Sequence, residues 1–260
     1  MALPGALRET SGVAWSRIKP DVLFSHNDGG HNPTLFALDL EGDILGEIPL
    51  TGAENRDWED LAVGECPAGS CVYVADVGDN GEVRDHVTLY RVSEPGVYDG
   101  TARDAEAFPM VLPHGPRDME SLLVLPGPEI LLITKGRSDG VTVFRYPPPL
   151  RPGEIVTLET VQTLTDDRLS IPKQITGADA SADGHLIAIR SYESLRFYRW
   201  NEARLVPLAG ATVALRTLHE AQGEGVGLGP GGRVALTSEA AMGRGPSLTI
   251  LDCGDLGGRP

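Results

Sequence analysis

The chain has 260 residues, 41% of them hydrophobic, and its 37 acidic against 22 basic residues give a formal net charge of −15. Such an acidic protein lacks the clustered cations that grip a nucleic acid or an anionic membrane surface. No stretch approaches the roughly 20 apolar residues that a membrane span needs. We therefore expect one soluble domain, a monomer, without nucleic acid or membrane as a partner.

The composition predicts an all-β fold, because glycine (32) and proline (20) are frequent and short apolar runs alternate with turn clusters. One element recurs within that pattern. Residues 56–63 and 117–124 align without a gap, both beginning Arg-Asp and carrying Glu at the fourth position. A relaxed match adds residues 8–15, 173–180 and 221–228. Five copies at this spacing indicate the blades of a β-propeller.

In chain order, the predicted blades begin at these copies and span residues 11–50, 59–112, 120–164, 176–215 and 224–253. The first four have room for four strands each, but the fifth has room for only three. Residues 2–7 could supply the missing strand and so remove an exposed sheet edge. The sequence thus predicts a single five-bladed β-propeller, residues 1–260, whose last blade is completed by the N-terminal strand.

The fourth residue of each copy should face the central channel, because the first strand of every blade lines the axis of a propeller. These ring residues are Ser11, Glu59, Glu120, Thr176 and Glu224. Three converging glutamates repel one another unless a cation lies between them. Oxygen ligands without Cys or His favour Ca²⁺, with Mg²⁺ as the second choice. We therefore expect an axial Ca²⁺ site.

The same glutamates have a competing interpretation, in which they point away from the axis. They would then form ordinary ion pairs between blades with the basic residues of the repeated segments, Arg8, Arg56, Arg117 and Lys173. In that case the blades are held together by side-chain pairing and the ring binds no metal.

In the number, order and spacing of the ring residues, the chain resembles the calcium-activated nucleotidases (soluble apyrases). Those are five-bladed propellers whose axial Ca²⁺ is held by Ser, Glu, Glu, Ser and Glu. Thr176 stands here in place of the second serine. The resemblance covers one position per blade and implies the fold and the metal more than the reaction. The chain is also similar to uncharacterised bacterial propellers grouped with phytase-like esterases, which implies little about the chemistry.

Residues that follow the second strand of each blade should emerge at one mouth of the channel. The first two blades contribute mostly acidic groups, and the next two contribute Lys135, Arg137 and Arg190. Such a basic half beside a metal would clamp a phosphate-type or other small anionic substrate. His26 or Asp76 is the candidate general base, with Glu239 or Asp28 as second candidates. The Asn and Asp residues of these loops, such as Asp79, could equally be turn formers.

The first function hypothesis is therefore a metal-dependent hydrolase acting on a phosphoester or phosphoanhydride. A second is glycoside cleavage by paired carboxylates at the mouth. The non-enzymatic alternative is a propeller that binds a ligand or a protein and uses Ca²⁺ only to lock its blades. An enzyme should lose activity on chelation, whereas the scaffold should lose stability alone.

The three cysteines are too few for a disulfide framework. Cys66 and Cys71 flank a four-residue turn and could bridge a hairpin, which would suit a secreted protein whose signal has been trimmed. They could equally be two reduced, small apolar side chains. Cys253 is expected to be a free thiol.

Overall fold

The protein folds into five sheets, and the structure, a computed structural model, describes residues 1–127 and 129–254. Blade 1 contains β1 (Thr10–Trp15), β2 (Leu23–Asn27), β3 (Thr34–Leu38) and β4 (Ile44–Thr51). Blade 2 contains β5 (Trp58–Cys66), β6 (Gly69–Asp76), β7 (Val87–Ser93) and, after the short β8 (Arg103–Asp104), β9 (Glu106–Val111). Blade 3 contains β10 (Met119–Leu125), β11 (Glu129–Thr134), β12 (Val141–Arg145) and, after β13 (Val156–Thr157), β14 (Glu159–Thr165).

Blade 4 contains β15 (Ile175–Ala180), β16 (Ile187–Ser191), β17 (Ser194–Asn201) and β18 (Arg204–Ala214), and blade 5 contains β19 (Gln222–Leu228), β20 (Arg233–Glu239) and β21 (Ser247–Asp252). Within the described residues, four 3₁₀ turns lie between strands or at the N-terminus, at Gly5–Leu7, Ile171–Lys173, Arg216–Leu218 and Pro230–Gly232. Within each blade, consecutive strands pair antiparallel from the axis outward. The predicted all-β, five-bladed propeller is confirmed.

Two outer edges are covered by strands that the sequence did not predict. β8 pairs in parallel with β4 of the preceding blade, and β13 pairs in parallel with β9. Both short strands lie in the connection that leads to the last strand of the next blade. They give hydrogen-bond partners to backbone groups that an open edge would leave exposed.

The N-terminus closes the ring against blade 5, as predicted, but over a shorter segment than residues 2–7. Ala2 forms an antiparallel bridge with Ser247, and Leu3 N donates to Pro246 O at 2.9 Å. Pro4 has no N–H to continue the ladder, and the chain turns into the 3₁₀ segment Gly5–Leu7. Leu3 and Leu7 are buried in the interface between blades 5 and 1.

The hydrophobic core is divided into five wedges, one between each pair of neighbouring blades. Both faces of the inner strands are therefore covered, and every residue of β1 and β10 is buried. This explains why the residues that follow the ring position in the repeated segments are largely apolar and do not alternate with polar residues. Of the described residues, none belongs to a helix with the length and apolarity required to cross a bilayer.

The blades meet at the axis through the carboxylate of Asp60, which follows the ring residue of blade 2. Asp60 Oδ2 accepts hydrogen bonds from Leu122 N of blade 3 at 2.9 Å and from Ala178 N of blade 4 at 3.1 Å. Its Oδ1 accepts from Leu61 N at 2.9 Å. On the blade 1 side only Gly12 fits, because an added Cβ would lie 2.6 Å from Leu61 N and 2.9 Å from Asp60 Oδ1. Asp60 therefore fills the channel between its two mouths.

We expect Asp60→Ala to destabilise the protein by about 3 kcal/mol or more, because three buried N–H groups lose their acceptor and each such loss costs about 1–3 kcal/mol. Asp60→Asn should be much milder, since an amide oxygen in the place of Oδ2 keeps the bonds from Leu122 and Ala178. Denaturant unfolding of both variants and of the control Glu65→Gln, an exposed residue of the same strand, measures the difference. Equal stability of the alanine and asparagine variants would contradict the axial role.

Cys66 and Cys71 form a disulfide across the β5–β6 hairpin, with their Cα atoms 5.8 Å apart, and Cys253 is a free, half-buried thiol. Because the bond closes a very short loop, the unfolded chain loses little entropy, and Cys66→Ser/Cys71→Ser should cost only about 2 kcal/mol. Melting curves of the wild type with and without reductant should reproduce that loss, whereas Cys253→Ser should melt like the wild type. A wild-type melting temperature that does not respond to reductant would show that the disulfide contributes nothing.

Candidate functional site

The five ring residues open the innermost strands, and every one of them lies where the strand register is irregular. The pairing of β1 with β2, β5 with β6, β10 with β11, β15 with β16 and β19 with β20 shifts within one to three residues of the ring position. All five side chains are buried. Bulges of this kind re-aim a side chain locally, so the repeated irregularity is what distinguishes the ring from an ordinary strand position.

The two hydroxyl residues of the ring bind backbone rather than the centre of the channel. Ser11 Oγ donates to Glu59 O at 2.6 Å, and Thr176 Oγ1 donates to Glu224 O at 2.9 Å. Each bond joins the inner strand of one blade to that of the next. Ser11 and Thr176 therefore hold glutamate-bearing strands in place, which is a different role from the metal ligation that the sequence predicts for them.

The ring glutamates of blades 2 and 3 converge together with Asp118. Glu59, Asp118 and Glu120 are all buried, and each offers a carboxylate oxygen within 4.8 Å of the others. Asp118 Oδ1 accepts a hydrogen bond from Asp79 N at 2.9 Å, but its buried Oδ2 has no hydrogen-bond partner among residues 1–127 and 129–254. A cluster of hard oxygen atoms with one unsatisfied acceptor fits a hard divalent cation.

A second group shares one member with the first. Asp28, Asp57 and Glu59 offer carboxylate oxygens within 4.8 Å of one another. Asp57 is positioned by its backbone N–H, which donates to Asp76 Oδ1 at 3.0 Å. Gly78 packs directly against this pair of carboxylates, and a side chain at that position would collide with Glu59 and Asp57. We call the mouth that holds these two groups the acidic mouth.

A side-chain cation of the protein, Lys135, reaches the cluster. Lys135 Nζ donates to Glu120 Oε1 at 2.5 Å, and its side chain is 12% exposed. Burial alone would lower the pKa of Lys135, but Glu120 and Glu59 raise it above its ordinary value, so the ammonium stays charged. Lys135 thus lies at the mouth, as the sequence predicts, and it is bound to a ring glutamate there.

A single lysine does not balance the negative charge. Burial raises the pKa of Glu120 to about 8 even though Lys135 opposes the rise. Burial, then Glu120 and Asp28, raise the pKa of Glu59 well above its ordinary value. Burial, with Asp28 and Asp118, raises the pKa of Asp57 to about 6. These carboxylates cannot all be ionised near neutral pH without a further positive charge.

Two other ionisable groups lie beside the cluster. Glu239, at the end of β20, is half-buried, and burial together with Asp28 and Glu9 raises its pKa to about 7. Glu224 accepts a hydrogen bond from Gln222 Nε2 at 2.8 Å, and burial followed by Glu120 raises its pKa well above its ordinary value. Glu239 is therefore a half-buried candidate proton acceptor whose pKa lies near neutrality, and Glu224 is the third acid of the ring.

Two of the other predicted bases, His26 and Asp76, are not accessible to a substrate, whereas Asp28 is half-buried and belongs to the second carboxylate group. His26 is fully buried between blades 1 and 2, where its ring contacts Trp58 edge-on with centroids 5.6 Å apart. Burial lowers the pKa of His26 to about 4, so the imidazole is neutral. Asp76 is 1% exposed and accepts a hydrogen bond from Arg84 Nη1 at 2.9 Å. Its Oδ1 positions Asp57 by accepting the hydrogen bond from Asp57 N.

The predicted basic half of the mouth is not assembled among the described residues. Arg190 is fully buried: Nη1 donates to Gly225 O at 2.6 Å and to Thr237 O at 2.9 Å, and Nη2 pairs with Glu220 at 2.5 Å. Arg137 is exposed and bound to the backbone and side chain of Asn80. The mouth is acidic around Lys135. A cluster of carboxylates lies where the sequence predicts a basic group that binds phosphate.

The competing ion-pair interpretation of the ring glutamates also differs from the described structure. Arg117 pairs with Asp139 at 2.6 Å rather than with a ring glutamate. Within residues 1–127 and 129–254, the ion pair of a ring glutamate is the one between Glu120 and Lys135. The glutamates therefore remain available to a ligand on the channel side.

Sequence reasoning missed Asp57 and Asp118, although the signal was present. Both stand two residues before a ring glutamate, in the two copies that align without a gap. Alternate residues of an extended chain share a face, so the shared Asp-x-Glu pattern placed two acids side by side in each of two neighbouring blades.

No protein-family model and no curated protein sequence matches this chain. Its fold is similar to a PQQ-bound aldose sugar dehydrogenase from Streptomyces coelicolor (12% identity, 96% of both chains, TM-score 0.54) and to a glucose dehydrogenase (14%, 96% of this chain and 98% of the other, 0.55). A gluconolactonase from Xanthomonas campestris matches less well (14%, 93% and 72%, 0.46). The comparisons do not support the resemblance to calcium-activated nucleotidases or to phytase-like esterases. At these identities the similarity shows the fold alone, a β-propeller.

Proposed function

We propose that the acidic mouth binds one divalent cation through Glu59, Asp118 and Glu120 and that the protein is a hydrolase acting there. The observation that carries this is the buried three-carboxylate cluster, whose negative charge exceeds what Lys135 compensates. Ca²⁺ is the first choice and Mg²⁺ the second, because carboxylates from separate blades form an irregular site of oxygen atoms. Thr176 and Ser11 are left out of the ligand set because their hydroxyls bind backbone.

The charge of the mouth argues for an uncharged substrate. Asp28, Asp57 and Glu239 surround the cluster, and Lys135 is already bound to Glu120. A phosphoanhydride would meet these carboxylates with like charge. A neutral, hydroxylated ester or lactone could instead donate hydrogen bonds to them. Similar propellers with TM-scores of 0.52 to 0.55 include an aldose sugar dehydrogenase and two glucose dehydrogenases, proteins named for sugar oxidation. A sugar lactone belongs to the same class of molecule as their substrates.

The chemistry then divides between the cation and the chain. When bound, the cation would polarise the substrate carbonyl and favour ionisation of a water molecule. Glu239 accepts a proton from the attacking water as the water oxygen adds to the carbonyl carbon. It then donates this proton to the leaving oxygen when the bond between that oxygen and the carbonyl carbon breaks. Lys135 holds Glu120 in place while the site lacks the cation.

We expect Ca²⁺ to raise the melting temperature of the wild type and a chelator to reverse the effect, because a ligand at one hundred times its Kd adds about 2.7 kcal/mol of stability. Asp118→Asn should lose this response while keeping an acceptor for Asp79 N–H. Calcium titration followed by differential scanning fluorimetry makes the measurement, with the exposed Glu65→Gln as the control.

Lys135→Met should have the opposite effect on cation binding from Asp118→Asn. Removing an ammonium group that competes for Glu120 should tighten cation binding by tenfold or more, whereas Arg137→Met, at an exposed site two residues away, should leave it unchanged. Absence of any shift with Ca²⁺, Mg²⁺ or Mn²⁺ in both the wild type and Lys135→Met would rule out the cation site.

Hydrolysis of gluconolactone and p-nitrophenyl acetate should require the cation and should exceed that of p-nitrophenyl phosphate. The rate should rise with pH to an inflection at or below about 7, since Glu239 must be deprotonated to act as base. Glu239→Gln should lower kcat at least 100-fold and remove the inflection. Cation binding without turnover of any of the three substrates would favour the non-enzymatic propeller, and turnover of the phosphate alone would overturn the proposed substrate class.

A further inference from the structure

The opposite mouth of the channel, where the innermost strands end, contains a pocket of about 470 Å³. Four of its lining residues lie at or near the ends of innermost strands in four blades: Trp15, Val63, Ala180 and Leu228. Asp60 separates it from the acidic mouth, because its carboxylate fills the axis between them. We call this space the opposite pocket. Its size is within the range of small-molecule sites.

A buried carboxylate belongs to the wall of this pocket. Asp179 is 7% exposed, and its two oxygens accept hydrogen bonds from Ala180 N at 2.8 Å and from Leu228 N at 2.7 Å. Each oxygen of a carboxylate can accept a second bond. Burial raises the pKa of Asp179 to about 7, and the backbone bonds and Arg17 only partly oppose it. A ligand with a positive charge would stabilise the ionised form.

A guanidinium group lines the same pocket. Arg17 follows β1, and its backbone N–H donates to Glu94 Oε1 at 3.0 Å, an oxygen that also accepts a bond from Ser16 Oγ at 2.5 Å. The backbone of Arg17 is thereby anchored, while within the described chain its guanidinium takes part in no ion pair closer than 4.0 Å. It is a partly exposed group that can bind the carboxylate of a ligand.

The rest of the lining is largely apolar. Ala14, Val63, Leu228, Pro20 and Pro230 supply hydrocarbon surface between the two charged groups. The face of the Trp15 ring is covered by the guanidinium of Arg233, 4.6 Å from the ring centroid, so Trp15 closes the wall rather than offering a stacking platform. A ligand for this pocket therefore needs opposite charges at two points and an apolar body.

We propose that the opposite pocket binds a free α-amino acid with an aliphatic or aromatic side chain. Its ammonium group donates to Asp179, its carboxylate accepts from Arg17, and its side chain packs against Val63 and Leu228. This site is independent of the cation and of hydrolysis at the acidic mouth, so amino-acid binding is tested separately from both.

The test is isothermal titration of the wild type with leucine, valine, methionine and phenylalanine and with two truncated analogues of leucine. 3-Methylbutylamine lacks the carboxylate, and 4-methylpentanoate lacks the ammonium group. At least one amino acid should bind, and both analogues of leucine should bind at least tenfold more weakly than leucine itself, because each leaves one charged partner unsatisfied. Titration with Ca²⁺ present and absent should give the same affinity.

Arg17→Met and Asp179→Asn should each weaken amino-acid binding by tenfold or more. Arg17→Met should remove the preference for leucine over 3-methylbutylamine, which separates recognition from a general loss of folding. Arg137→Met and Asp183→Asn are the matched controls; Asp183 lies on the same pocket but is engaged by Ser181 Oγ and His185 N. Failure of all four amino acids to bind at 10 mM, or binding that survives Arg17→Met with its preference intact, would overturn the proposal.

Discussion

The architecture depends on one carboxylate at the axis. In a propeller of five blades the innermost strands approach closely, and their backbone N–H groups near the axis have few acceptors. Asp60 supplies one acceptor group to strands of blades 2, 3 and 4, and Gly12 of blade 1 leaves room for it. Removing the side chain of Asp60 would leave these donors in a closed, apolar space. The same side chain divides the channel, so each mouth has its own chemistry.

The acidic mouth is assembled at the expense of electrostatic stability. Glu59, Asp118 and Glu120 lie together in a buried site, although burial favours their protonated forms. The surrounding structure enforces this arrangement: the register shifts of β5 and β10 orient the glutamates, Asp76 positions Asp57, and Gly78 leaves space for both carboxylates. Such concentrated, unfavourable charge is typical of sites that bind a cation or perform acid–base chemistry.

Two arginines of the surrounding blades, Arg190 from the predicted basic half and Arg84, serve the scaffold and not the mouth. Arg190 joins β16 to backbone carbonyls of blade 5, and Arg84 binds Asp76 and Gly78 O within blade 2. Both guanidinium groups are buried and bound to oxygens of the protein, so neither is presented to a ligand at the mouth. Arg17, at the other end of the channel, is the contrasting case, because its backbone is anchored and its side chain forms no ion pair with the residues that the structure describes.

The sequence by itself determined the number of blades, the innermost strand of each, the closing role of the N-terminus and the ring positions, because all of these follow from a repeated segment and its spacing. It also contained the Asp-x-Glu pattern of residues 57–59 and 118–120, in which each aspartate lies on the same face of the chain as a ring glutamate. This pattern indicates the acidic cluster. Only the tertiary structure decided which way the ring side chains point: Ser11 and Thr176 turn toward the next blade, while Glu59 and Glu120 meet. It also decided that His26 and Arg190 are buried and that Asp179 and Arg17 share a pocket. Each of these outcomes depends on contacts between blades and on local register shifts, which residue spacing along a single strand does not encode.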